Sequence, residues 1–362
     1  MSCMEWRIGM LAALAIAMAP AALHAADDGR VVLREVRGES LSHSLIGTNP
    51  VRKLVVYLPV GYESSTQRYP VIYYLPNPLV KFDEAFYQNT AREVLDRAIT
   101  KGEIGKAIFV AVDLATPLGC SWYVDSPVTG NWEAFMVREL VPYVDANFRT
   151  LASRDSRGLM GDFMGGYGSI RFGMTHPEVF GTVYALHPVG TGSGIYTMYS
   201  RPDWNLFSRI QSIDQLKDSP FAVIFTTIFQ ASVPNVKRPP LYIDLQANQV
   251  GDTVEIDSAV TERLRDNFLL ETMIGRYADN LKSLRALRFD WARNDPNQDH
   301  VYANQAFTHK LNEFGIPHEA EEYNGVWGTG NWGLDGRVYT EVLPFFARHL
   351  VFDAPSSSAS AP

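Results

Sequence analysis

At 362 residues, 46% hydrophobic, 12% aromatic and 20% charged, the chain has the composition of a folded globular protein and not of a disordered, collagen-like or coiled-coil one. Its length fits one large α/β core with insertions as readily as two domains. A net charge of −8 without a Lys/Arg cluster gives no field that would draw nucleic acid or anionic lipid, so nucleic acid is not an expected partner.

In chain order, Glu5 and Arg7 precede an apolar run from Ile8 to Leu23, broken by Pro20 and followed by small residues at Ala25 and Ala26. That order predicts a secretory signal peptide over 1–25, hence a periplasmic or secreted protein with no stable membrane span after cleavage. Cys3 leaves with the peptide, and Cys120, left alone, has no internal disulfide partner. The expected domain is a single α/β unit over 26–353. The tail 354–362, APSSSASAP, is low in complexity and expected to be disordered.

Strand-like apolar runs occur at Val51 to Pro59, Val71 to Leu75, Ala107 to Asp113, Gly158 to Asp162, Gly181 to Leu186, Arg285 to Asp290 and His318 to Tyr323. Helix-like stretches lie between and after them at Glu84 to Ile99, Trp132 to Phe148, Gly166 to Thr175, Val301 to Phe314 and Thr340 to Leu350. This alternation predicts an α/β fold with a mostly parallel central sheet flanked by helices, with ligands at the carboxyl ends of the strands. Residues 189–281 break the alternation and read as a lid-like insertion over that edge.

The segment Gly158-Leu-Met-Gly161-Asp-Phe163-Met-Gly165-Gly166 places a strand, a tight turn and a helix in succession. This is the setting of the G-x-S-x-G elbow that lifts a nucleophilic serine above the sheet, but a phenylalanine stands at the middle position. A phenyl ring cannot attack a carbonyl.

With the stretches Val56-Tyr-Leu-Pro59-x-Gly61-Tyr62, PVIYYL, Asp125-Ser126-x-x-x-Gly130-x-Trp132-Glu133, GDFMGGYGSIRFGMTHPEVFG and the half from Phe289 to Leu350, the chain resembles the esterase D family of α/β-hydrolases. That family includes S-formylglutathione hydrolases, enterochelin esterases, feruloyl esterases and mycolyltransferases. The resemblance implies an α/β-hydrolase fold, with Phe163 at the nucleophile position, Asp295 at the retained acid position and Trp327 at the histidine position. It implies an altered oxyanion loop as well, because Pro76-Asn77-Pro78-Leu79 follows the strand where relatives resemble L-H-G-x-x, and proline has no N–H to offer a developing charge.

Other residues carry weaker expectations. Asp162 would need glycines at Met160 and Met164 to serve as a nucleophile, so a solvated or capping role is expected. His187 ends a strand at the ligand edge, either as an alternative base or as a hydrogen-bonded structural residue. Cys120 lacks an assigned histidine and reads as an inert thiol beside the pocket. Gly328-Thr-Gly330-Asn-Trp-Gly333 matches a dinucleotide pattern without the βαβ unit it requires. Asp295-x-Asn297-x-Asp299 begins like a calcium loop but has His300 where glycine is needed. His300 reads as a helix-entry residue. No cofactor or metal is expected.

Phe163, Trp122, Trp327 and Trp332 are expected to converge on one end of the sheet, together with Asn77, Met164 and Asp162. They either fill the old cleft or line a pocket for an apolar, aromatic or sugar-like small molecule. Two functions follow: a degenerate esterase that binds without hydrolysis, or an enzyme acting on acyl, ester or aromatic substrates through His187 and Asp295, with a residual carboxylesterase or acyltransferase as a further alternative.

Overall fold

The computed structural model describes residues 28–353, apart from 88, 89, 195–201, 217 and 329; the expected signal peptide and tail lie outside the described residues. Eight strands form one sheet: β1 (Arg30–Arg37), β2 (Val51–Leu58), β3 (Val71–Leu75), β4 (Ile108–Val112), β5 (Arg157–Asp162), β6 (Thr182–Leu186), β7 (Ala286–Ala292) and β8 (Glu319–Tyr323). Their spatial order is β1-β2-β4-β3-β5-β6-β7-β8. β2 pairs antiparallel with β1 and β4, and every other pairing is parallel. The parallel strands β3, β4 and β6 are buried at every residue, as strands covered by helices on both faces must be.

β1 is an addition to the sequence expectation, which began at Val51. RVVLREVR buries Val32 and Val36 and exposes its charges together with Leu33, so only one face of this edge strand joins the core. Two apolar layers cover the sheet. One holds Trp122, Trp132, Phe163, Tyr167 and Phe172; the other holds Tyr57, Tyr74, Trp332, Phe345 and Phe346.

The expected helix from Glu84 is interrupted: a short turn at Glu84–Tyr87 precedes α1 (Ala91–Thr100). The next expected helix is continuous over 132–147 but widens to π geometry at Phe135–Leu140. α2 (Met164–Thr175) follows β5 after the single residue Phe163. Within 189–281 lie α3 (Pro220–Ser232), α4 (Ser258–Phe268) and α5 (Leu270–Ser283). α3 starts at Pro220, with Ser219 capping the N–H of Ala222. This insertion is fastened to the core by buried hydrogen bonds: Trp122 Nε1 donates to Thr227 Oγ1 at 2.9 Å, and Tyr167 O–H donates to Phe268 O at 2.8 Å. α6 (Gln298–Glu313) starts three residues before the expected helix. Among the described residues no helix is long and apolar enough to cross a membrane.

Candidate ligand site at the elbow

The turn between β5 and α2 is held by close backbone packing. A Cβ on Gly165 would lie 1.8 Å from Leu75 O, and one on Gly161 would lie 2.1 Å from Gly165 O, so only glycine fits either place. Between them Phe163 adopts φ 58° and ψ −109°, a strained conformation for a residue with a side chain, and its N–H donates to Leu186 O at 2.9 Å. The structure therefore keeps the elbow backbone and puts a phenyl ring at its tip. Trp327, from the loop after β8, lies parallel to that ring, with centroids 4.1 Å and planes 8° apart.

Asp295 follows β7 and collects three donors. Its Oδ2 accepts from His187 Nε2 at 2.8 Å and from His300 Nδ1 at 2.7 Å, and its Oδ1 accepts from the Asn297 N–H at 2.8 Å. Burial alone would raise its pKa, but these hydrogen bonds outweigh burial and hold it well below the usual carboxylate range. An ionised Asp295 fixes both tautomers, because each imidazole must present N–H to it.

His187, the other candidate base, is enclosed in the same network. Its Nδ1 accepts the Ala292 N–H at 2.9 Å and its Nε2 is committed to Asp295, so both ring nitrogens are used within a buried network. Burial lowers its pKa and keeps it neutral, and its φ of 43° adds a second strained residue beside Phe163. The potential ligand atoms of His187, Asp295 and His300 lie within 4.8 Å of one another, and the Ala292 N–H on His187 Nδ1 leaves the proton of a neutral His187 on Nε2, toward Asp295.

His300 has contacts that its helix-entry position alone did not reveal. It stands in the first turn of α6 as expected, yet its ring meets Phe163 edge-on at 5.3 Å, while Nδ1 is bonded to Asp295. The signal available was its spacing of five residues from the acid position, which brings it back onto Asp295 across the N-terminus of α6.

A cavity of about 410 Å³ opens beside these groups. Phe163, Trp122, Met164 and Trp327 line it from the core, Phe225, Ile228 and Phe268 line it from the insertion, and its polar edge is Ser193, Asp295, Asn297, Asp299 and His300. Of the two expected arrangements, a filled cleft or a lined pocket, the geometry matches the pocket: Phe163 and Trp327 pack against each other and leave the space beside them open.

Not every expected residue reaches this cavity. Asn77, Asp162 and Trp332 line a second, more polar cavity of about 620 Å³, which shares Leu79 and Trp327 with the first. Trp332 packs on Tyr74 and Phe86 with centroids 5.2 and 5.7 Å away, in the opposite apolar layer from Trp122. Asn77 Oδ1 accepts the Leu79 N–H at 3.2 Å, closing the proline-flanked loop on itself. Cys120 is buried beneath Trp122, accepting its N–H at 3.3 Å, and burial pushes its thiol pKa up, so it is an inert thiol that lines neither cavity.

A parallel sheet in this strand order with a strained elbow after β5 defines an α/β-hydrolase. The chain belongs to the Putative esterase family, whose model matches residues 47–332. It is 26% identical over 288 residues to Esterase MT1326 and to Esterase Rv1288, from two strains of Mycobacterium tuberculosis, over 78% of this chain and 53% of each relative. The chain thus spans about half the length of the curated relatives it matches. Its fold is similar to that of a ferulic acid esterase, with a TM-score of 0.62 at 19% identity over 90% of this chain and 100% of the other. An S-formylglutathione hydrolase from Agrobacterium tumefaciens gives 0.58 at 15% identity, over 90% and 97%.

Proposed function

We propose that this esterase-family chain binds an apolar or aromatic small molecule in the elbow cavity without Ser-His-Asp ester hydrolysis. The observation that carries this reading is the stacked Phe163–Trp327 pair beside an open cavity of about 410 Å³. The ring at the elbow tip removes the nucleophile, the tryptophan fills the place the resemblance assigns to the base, and the apolar volume for a ligand persists. Pro76 and Pro78 support the same reading, since they withdraw backbone N–H groups from the loop that relatives use to stabilise an oxyanion.

Incubation with a fluorophosphonate probe, together with p-nitrophenyl butyrate turnover, tests the proposal. The expected outcome is no covalent adduct and no turnover above buffer, while a naphthyl probe binds saturably. A serine adduct would overturn it. An export role is part of the proposal and rests on the pattern over 1–25; N-terminal sequencing of protein recovered outside the cytoplasm should read from near Ala26.

A further inference from the structure

We infer that the second cavity, the one lined by Asp162, is a site for a small organic ammonium cation, with the Asp162 carboxylate as its counter-charge and Trp332, Trp327 and Tyr74 as aromatic walls. This goes beyond the elbow-cavity reading and does not depend on it.

Asp162 is the last residue of β5 and stands directly before the elbow tip, so the strand and the glycine contacts of the turn fix its place. Its side chain lines the cavity of about 620 Å³, yet Oδ1 is buried without a hydrogen-bond partner, and among the described residues the carboxyl makes no ion pair. Burial, with the charge of Asp290 added to it, pushes its pKa up to about 7 against a hydrogen bond from the Asn331 side chain. The groups facing it do not supply a counter-charge. Tyr74 on β3, Tyr123 and Tyr323 on β8 are held neutral by burial, and Arg337 is paired with Asp290 and Glu321. The undescribed positions next to lining residues in the chain are Gln88, Asn89 and Thr329, all uncharged.

Folding has already taken Asp162 out of water, so a bound ammonium adds only its own desolvation and gains a charge-assisted hydrogen bond and the faces of aromatic rings. Lys81 also lines this cavity, but it is exposed, and Glu84 of opposite sign lines it too, so solvent and that carboxylate screen the lysine. A ligand anion would meet Asp162 and Glu84 together, while a neutral hydroxyl would leave Asp162 without a counter-charge. The net charge of −8 favours the approach of a cation as well.

Cyclohexylmethylammonium and its neutral isostere cyclohexylmethanol separate the possibilities by isothermal titration calorimetry. At pH 8, where Asp162 is ionised and the amine protonated, the amine should bind at least about tenfold tighter than the alcohol, the effect of one charge-assisted hydrogen bond. At pH 5.5 Asp162 is protonated, and each bound cation must displace that proton; the amine should then weaken roughly thirtyfold while the alcohol stays within about twofold. Asp162→Asn should bring the amine down to the alcohol at both pH values. Ile228→Trp, at a position that lines only the elbow cavity, should leave amine affinity within about twofold of native. Equal binding of amine and alcohol at pH 8, amine binding that survives Asp162→Asn, or amine binding lost in Ile228→Trp would each overturn the inference. The methyl ether of 2-naphthalenemethanol, run in parallel, reports on the elbow cavity: its failure to bind would strike that reading and leave this one standing.

Discussion

Phe163 and Trp327 act as one unit. Their parallel rings cover each other at van der Waals distance, so restoring a serine at 163 alone leaves the tryptophan over it. The double variant Phe163→Ser with Trp327→His still faces a loop in which Pro78 has no N–H. We expect p-nitrophenyl acetate turnover by that double variant to stay roughly 10²–10³-fold below that of an active relative with an intact oxyanion loop, the cost in kcat of one missing oxyanion donor. A second residue, Asp162, has a pH signature. Its Oδ1 is buried without a hydrogen-bond partner, and burial, reinforced by the charge of Asp290, pushes its pKa up to about 7. A carboxyl whose pKa is raised on folding binds more protons folded than unfolded, so its contribution weakens as pH climbs from about 4 towards 7. Asp162→Asn should therefore gain stability relative to the native chain as pH rises from 5 to 8, by on the order of 1 kcal/mol, read as the difference in urea midpoints at the two pH values. A pH-independent difference would show that Asp162 titrates normally.

At the scale of elements, the strand–turn–helix of β5 and α2 is specified by glycine contacts and not by the residue at its tip. Gly165→Ala would drive a methyl group into the Leu75 carbonyl on β3, a backbone atom that cannot swing aside. The expected cost is at least ~3 kcal/mol, visible as a fall in the chemical denaturation midpoint or loss of soluble protein. A loss under ~1 kcal/mol would mean that α2 can slide on β3. This separation of backbone from tip explains what was legible in the sequence. Gly161 and Gly165 mark the elbow because their spacing around position 163 is a recognisable pattern, even though Gly165 is constrained by Leu75 on β3; His300 read only as a helix-entry residue because its contact with Phe163 joins residues far apart in the chain. β1 was unread for a different reason: its four apolar residues are interleaved with charges, and only Val32 and Val36 of them are buried.

At the scale of the molecule, the insertion over 189–281 converts an open strand edge into a walled cavity. α3 contributes Phe225 and Ile228, and its attachment to Trp122 through Thr227 holds that wall against the core. Ile228→Trp projects a larger ring into space instead of into packed atoms, so the chain should fold while binding of the 2-naphthalenemethanol methyl ether falls by at least tenfold. Unchanged affinity would place the ligand elsewhere. In the native chain, that probe at 100 times its Kd should add about 2.7 kcal/mol to unfolding free energy, a gain that Ile228→Trp should lack.

Periodicity, the spacing of the two elbow glycines and the absence of serine at 163 were determined by the sequence itself, because each is a pattern read over a few neighbouring residues. The openness of the cavity, the tautomer of His187 and the position of His300 were decided by tertiary structure alone. Each depends on atoms distant along the chain: Ala292 and Asp295 lie more than a hundred residues from His187, and the cavity wall belongs to α3. Trp332 makes the same point in reverse, since its place in the chain suggested the pocket of Trp122, while the sheet puts the two in opposite apolar layers. Local sequence dictates backbone shape at a turn, but which side of the sheet a ring reaches, and what remains empty beside it, follows from how the elements pack.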